Sequence, residues 1–217
     1  MTGQQESGYL YPNKMARIHV LSIEETIGHA AMMAVFETAK IPPELYPPAN
    51  NFAKGFDFAY YGAIGATLEK MYGPRGERGL MLHAGRAAFD DGLAQYGGAL
   101  GTSELAFKAI PTAAKLKIGI MAVAEAFNKF SDQLTEVSEE SDHFVYTIRR
   151  CPACWGRTSP RPVCATTIGL LEAAFKWVSG GALFDITEVE CIAMGHAACV
   201  FHVGKTPVAQ STGENED

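Results

Sequence analysis

The chain has 217 residues, 47% of them hydrophobic and 19% charged, with a formal net charge of -6 at pH 7. This predicts one domain with a substantial core, and the acidic balance argues against a nucleic-acid partner. With no apolar run of about 18 residues and no basic, apolar leader, neither a membrane span nor a secretion signal is expected, and a cytoplasmic location follows.

In chain order, residues 1–8 are polar and read as a disordered tail. Residues 9–207 read as a single domain, and residues 208–217 as a second disordered tail. Ser22-Ile23-Glu24-Glu25 has the spacing of a capping box and predicts a helix from there to about Lys40. The proline-rich stretch after it predicts an extended connector. Asp57 to Tyr72 reads as a second helix closed by Gly73-Pro74, and Glu77 to Tyr96 as a third. Pro111 to Phe130 is a helix apolar around most of its circumference, the pattern of an element that is buried, lines a cavity or meets another subunit. Beyond it the period changes. Leu134 to Arg150 reads as two strands flanking a polar turn at Ser138–Asp142. Cys151-Pro-Ala-Cys154 begins a loop, Cys164 to Ser179 is a helix stopped by Gly180-Gly181, and two more strands frame Met194-Gly195-His196. Helices first and an antiparallel sheet last define an α+β fold: a helical N-terminal part packed on a small antiparallel sheet.

All five cysteines lie between positions 151 and 199. In a reducing compartment, thiols or metal ligands are favoured over disulfides. Cys191 and Cys199 lie symmetrically about Gly195. A hairpin folded there sets them on adjacent strands, about 4.5–5.5 Å apart at Cβ, close enough to share a tetrahedral ion such as zinc. Cys164, opening a helix, is the natural third ligand. The residues leave the fourth open among Glu188, Glu190, Cys151 and Cys154. A regular strand would turn Glu188 and Cys191 to opposite faces, so a bulge or the strand end must reorient one of them.

Few features point to catalysis. The stretch around Gly62 and Gly65 lies in a helical pattern and lacks the strand-to-helix setting of a dinucleotide fingerprint. His83, Arg86, Asp90 and Asp91 read as a solvated helix face with local ion pairs. His19, His29, His143 and His202 read as isolated core or surface residues, and His196 as a solvated turn residue.

Arg161 to Lys205 carries a P-x-C motif, a helix ending in Gly-Gly, and then E-x-x-C-x-A-x-G-x-x-x-C. This stretch resembles the 4-vinyl reductase domain, a small-molecule-binding family related to subunits of the TRAPP tethering complex, to haem-based nitric oxide sensors, and to the sensor module of phenol-responsive activators. The resemblance implies a structural zinc on Cys164, Glu188, Cys191 and Cys199, with Cys151 and Cys154 as alternative ligands. It implies a binding or carrier module for a hydrophobic small molecule: a tetrapyrrole, a fatty acyl chain or another hydrocarbon. It also implies pairing as a homodimer through the helical part. The alternatives it carries are a bacteriochlorophyll-pathway 4-vinyl reductase or its accessory protein, and a TRAPP-subunit-like dimeric scaffold. A binding module, not an enzyme, is the favoured expectation. By alignment with the phenol sensors, Ile168 and Ile186 replace pocket tyrosines, which predicts an apolar pocket. Met121, Phe127, Trp155, Phe175, Trp177 and Phe184 are the remaining candidates for its lining.

Overall fold

The computed structural model describes residues 5–96 and 110–208. Strand β1 (Leu10–Pro12) pairs antiparallel with β2 (Lys54–Asp57). Helices α1 (Asn13–Ile27) and α2 (His29–Thr38) lie between them in sequence. Helix α3 runs from Phe58 to Tyr96 and bends at Gly73, whose φ is 72°. Helix α4 spans Thr112–Phe130. A second sheet follows, with β3 (Leu134–Glu139), β4 (His143–Arg150), β5 (Phe184–Glu190) and β6 (Cys199–Pro207) in the order β3-β4-β6-β5, all pairings antiparallel. Helix α5 (Ala165–Ser179) lies between β4 and β5 in sequence. The fold is α+β, as the change of hydrophobic period predicts. Among the described residues, no helix is long and apolar enough to cross a membrane.

Two local expectations fail for identifiable reasons. The capping-box sequence does not open a helix. Ser22 sits inside α1 and its hydroxyl donates to the Ile18 carbonyl one turn back, while Gly28, at φ 85°, breaks the chain between α1 and α2. The side chain that would cap a free N-terminus is taken up by a helix that began earlier. Nor are residues 5–8 loose. Ser7 donates its N–H and its hydroxyl to Asp57, Gly8 N–H bonds the same carboxylate, and the Tyr60 hydroxyl donates to Glu6. Residues 1–4, 97–109 and 209–217 lie outside the described residues, and with them the expectation of a C-terminal tail beyond Val208.

The sheet has one buried face, set by strand alternation. Phe144, Tyr146 and Ile148 on β4 stand beside Val203, Phe201 and Cys199 on β6 in register. Helix α5 covers that face with Ile168, Leu171 and Phe175, and Phe175 meets Phe184 edge-on at 5.3 Å between ring centres. The other side of α5 packs closely on α3. A Cβ on Gly169 would lie 2.2 Å from the Leu82 carbonyl oxygen, and one on Gly85 would lie 2.1 Å from that of Thr166, so only glycine permits this approach. The loop after β4 rests on α3 in the same way, since a Cβ on Gly62 would meet the Trp155 carbonyl oxygen at 2.2 Å. The glycines of the Gly62–Gly65 stretch are therefore a seat for the cysteine loop.

Candidate metal and ligand site

The cysteines arrive on four local devices. Cys151 precedes, and Cys154 ends, a one-turn 3-10 segment just after β4. Cys164 is the residue just before α5, and Cys199 begins β6. Cys191 follows β5, where the pairing skips from Glu188↔Phe201 to Glu190↔Val200. That bulge sends Val189 outward and brings Glu188 and Cys191 to the same buried side. The conflict posed by a regular strand is resolved there.

All five thiols are buried and free of disulfides. Cys154 Sγ lies 3.3 Å from Cys164 Sγ and 3.4 Å from both Cys191 Sγ and Cys199 Sγ, while Cys151 Sγ is 3.4 Å from Cys164 Sγ. Sulfurs bound at about 2.3 Å to a tetrahedral ion would lie roughly 3.8 Å apart, so the cluster needs only slight expansion to surround one. Two sets have their ligand atoms all within 4.8 Å of one another: Cys151, Cys154, Cys164 and Cys199, and Cys164, Glu188, Cys191 and Cys199.

Glu188 separates the two sets chemically. Its Oε2 accepts the Cys164 N–H at 3.0 Å, while Oε1 is buried without a hydrogen-bond partner. Burial, and then the neighbouring Cys191 thiolate charge, push its carboxyl up to about 9. A buried carboxyl oxygen without a partner, set beside thiols, is a group that could serve as a metal ligand. The thiols are also poised unequally. Hydrogen bonds from Cys154, Cys164 and Cys199 hold Cys151 well below the ordinary thiol range, whereas contact first with Cys151 and then with its other sulfur neighbours pushes Cys164 well above it. His196 takes no part through sulfur. Its Nδ1 lies 3.1 Å from the Cys191 carbonyl oxygen within the turn.

The loop carrying Cys154 is clamped by Arg157, whose guanidinium donates to Glu69 at 2.9 Å and to Glu77 at 3.1 Å from a side chain only 4% exposed. Arg161 also bonds Glu69. Arg149 pairs with Glu136, and Arg150 stacks its guanidinium 4.0 Å from the Tyr9 ring centre. Arg86, read as part of a solvated face, pairs with Glu172 across the α3–α5 contact.

Beside the cluster lies a cavity of about 40 Å³. Cys151, Pro152 and Ala153 form one wall, so the cluster and the cavity share a loop. Tyr11, His19, Tyr61, Phe127, Gln133 and Tyr146 are among the other lining residues. Of the eight residues singled out for a pocket, Phe127 borders this cavity. Trp155 lies in a separate groove with Arg149, Arg150 and Ile192, its ring edge-on to Tyr9 at 5.4 Å. Ile168, Phe175, Phe184 and Ile186 are buried between α5 and the sheet, where helix-on-sheet packing uses them up. Met121 and Trp177 are exposed, so of the two tryptophans only Trp155 is placed to report on the interior. The tyrosine replacements inferred at 168 and 186 therefore do not make the cavity apolar, because its hydroxyl-bearing residues are Tyr11, Tyr61, Tyr146, Thr166 and Thr167.

Sequence reasoning left His19 as an isolated residue. It is buried, stacks on Tyr61 with ring centres 4.2 Å apart, and its Nδ1 lies 3.1 Å from the Tyr61 hydroxyl. Burial holds its imidazole down to about 3. A base whose folded value lies below its unfolded value of about 6.5 makes the unfolded state the better proton acceptor between the two, so its contribution is complete above pH 6.5 and is lost as pH falls. Urea unfolding is expected to show stability falling by up to about 1.4 kcal/mol per pH unit below pH 6 from this residue. His19→Phe should flatten that slope, and an unchanged slope would remove His19 as its source.

Residues 144–205 match the family model of the 4-vinyl reductase domain. No curated protein sequence gives a significant match. Among solved structures, the unliganded Fe(II) H-NOX protein from K. algicida superposes with a TM-score of 0.60 at 12% identity, covering 92% of this chain and 98% of that one. An S. oneidensis H-NOX protein gives 0.55 at 15% identity, covering 88% and 95%. A third H-NOX structure, from work on haem distortion in that family, gives 0.55 at 12%, covering 92% and 97%. The chain thus carries a 4-vinyl reductase domain match over residues 144–205, set within a fold that it shares with H-NOX proteins.

Proposed function

We propose that the chain is a non-catalytic small-molecule-binding module whose ligand cavity is braced by a structural zinc. The observation that carries this reading is the buried cluster itself: thiols from separate chain segments converge around Glu188, whose Oε1 has no other partner. Cys164, Glu188, Cys191 and Cys199 would hold the ion, and Cys151 and Cys154 form the competing half. Three thiolates and a carboxylate complete a tetrahedron, so the ion would supply structural cross-linking. Its effect would be to tie the start of α5 to the β5–β6 turn and to fix the loop that walls the cavity.

One of the matching H-NOX structures comes from work on haem distortion, and the shared fold prompts a test for haem here. The fit is poor. Sites for drug-sized ligands run to roughly 300–1,000 Å³, whereas the cavity between the described residues is about 40 Å³ and is walled by buried aromatic rings. The same walls keep the tetrapyrroles and long acyl chains that the sequence suggests out of this cavity, whereas the open groove beside Trp155, bordered by Arg149, Arg150 and Arg157, measures about 380 Å³. For the cavity beside the cysteine loop, a smaller ligand is the reading that the geometry supports.

Homodimerisation is part of the proposal. Helix α4 buries Leu116, Ile120 and Ala124 but leaves Ile118 and Met121 exposed, as expected of a helix that meets a second chain. Light scattering at micromolar concentration should give twice the 23.4 kDa chain mass. A single-chain mass would remove the dimer. Native mass spectrometry of untreated protein tests the whole reading, since it weighs metal, ligand and oligomer together. Protein carrying neither zinc nor any small molecule would refute it.

A further inference from the structure

Three arginines border the open groove beside Trp155, and two of them are neutralised within the protein. Arg149 holds Glu136 with two bonds, from Nε at 3.0 Å and from Nη2 at 2.9 Å, and Arg157 is bound by Glu69 and Glu77. Arg150 differs. Among the described residues, no carboxylate lies within ion-pair distance of its guanidinium. The nearby Asp132 gives Arg150 its backbone carbonyl at 2.9 Å and uses its carboxylate on Lys54 and the Leu10 N–H. One positive charge at the groove is therefore uncompensated.

That charge is held in place and stays within reach. Nη1 donates to the Asp132 carbonyl, and the guanidinium carbon sits 4.0 Å from the Tyr9 ring centre, so one face of the fork is covered and its edge is left to donate. The unbonded nitrogens of Arg150 are open to solvent, because the buried side-chain atoms without a partner among the described residues are His19 Nε2 and Glu188 Oε1. Tyr9 also joins the charge to an aromatic wall of the groove, since the same ring meets Trp155 edge-on at 5.4 Å. Trp155 is half-buried, and Ile192 and Ala197 from the β5–β6 turn border the groove with it.

We propose that this groove binds an organic monoanion, a carboxylate on a flat apolar body, with Arg150 taking the carboxylate and Trp155 the body. A guanidinium edge matches a carboxylate with two parallel bonds, and a single free arginine balances a single negative charge. A phosphate dianion would find only half of its charge met. The volume of about 380 Å³ lies within the roughly 300–1,000 Å³ usual for such ligands. The groove is distinct from the small cavity, although Cys151 borders both, and the proposal goes beyond whatever that cavity holds.

The test titrates naphthalene-2-carboxylate into the full-length protein labelled with nitrogen-15 at its two tryptophans. The Trp155 indole N–H signal should shift saturably in the submillimolar range, while that of Trp177, exposed on α5, stays in place. Naphthalene-2-carboxamide keeps the flat body without the charge and should bind about tenfold more weakly. Naphthalen-2-yl phosphate should bind no more tightly than the carboxylate. Arg150→Gln should weaken carboxylate binding about tenfold while hardly changing that of the amide, which separates a lost charge contact from a disturbed groove. Should Arg150→Gln not fold, the comparison of acid and amide on the unsubstituted protein decides. Shifts that stay linear in ligand, equal shifts at Trp177, equal binding of acid and amide, or an Arg150→Gln protein that binds the acid undiminished would overturn the proposal. Tighter binding of the phosphate would overturn the choice of a monoanion. Zinc content and any endogenous small molecule are read separately in native mass spectra, so failure here and failure of the broader reading are told apart.

Discussion

Cys191→Ser protein is expected to emerge without zinc and with at least about 4 kcal/mol less stability, a loss near the whole margin of a typical domain. The magnitude follows from linkage. The metal binds only the folded arrangement, so its binding free energy is folding free energy. Cys191 is fully buried and is brought to the cluster by the bulge at Val189, so its loss removes one thiolate of the ligand set. Metal analysis with chemical denaturation checks this. The same measurements on Cys151→Ser and Cys154→Ser sort the ligand sets. Both variants should retain zinc if Glu188 is the fourth ligand, and loss of zinc in either as complete as in Cys191→Ser would transfer that role to the Cys151–Cys154 pair.

Arg157→Leu should be the second most damaging change, costing about 3–5 kcal/mol. Its guanidinium forms the ion pair with Glu77, whose side chain is 5% exposed, and it shares Glu69 with Arg161. Removing it strands the Glu77 carboxylate in the interior with its paired charge gone. Burial already raises the Glu77 carboxyl despite the opposing pull of Arg157. Without that pull it rises further, so the variant can relieve its penalty by protonating Glu77. The cost should therefore shrink as pH falls. The double variant Arg157→Leu/Glu77→Leu should recover most of the loss, because replacing both partners removes the stranded charge. Urea unfolding of the three proteins at pH 8 and pH 5.5 measures this. An unvarying penalty across pH, or a double variant as weak as the single, would mean that the damage comes from lost packing on α3.

How much of this was legible in the sequence depends on how local each cause is. The β5–β6 turn, α5 with its Gly180 stop, the β3–β4 pair and α4 all appear where their period and punctuation place them. Each is specified by neighbouring residues. The convergence of the cysteines was readable as a grouping in sequence, because short connections bring them together. The facing of Glu188 was not, since it depends on one skipped residue in a ladder. Strand β1 escaped notice because three residues pair with a segment far along the chain, Leu10 with Asp57. The cavity escaped for the same reason. Tyr11, His19, Tyr61 and Gln133 have no common motif, and their meeting is settled by the packing of α1 on α3 and by hydrogen bonds spanning 42 and 122 positions. The clamp by Arg157 escaped as well, because its partners lie 80 and 88 positions away.

X-ray absorption at the zinc edge on freshly purified protein tests the central claim most directly, because it reports both the presence of the ion and the atoms around it. The account predicts about one zinc per chain in a shell of three sulfurs and one oxygen. A shell of four sulfurs would replace Glu188 by Cys151 or Cys154, and protein without zinc whose five thiols titrate freely while it remains folded would contradict the account.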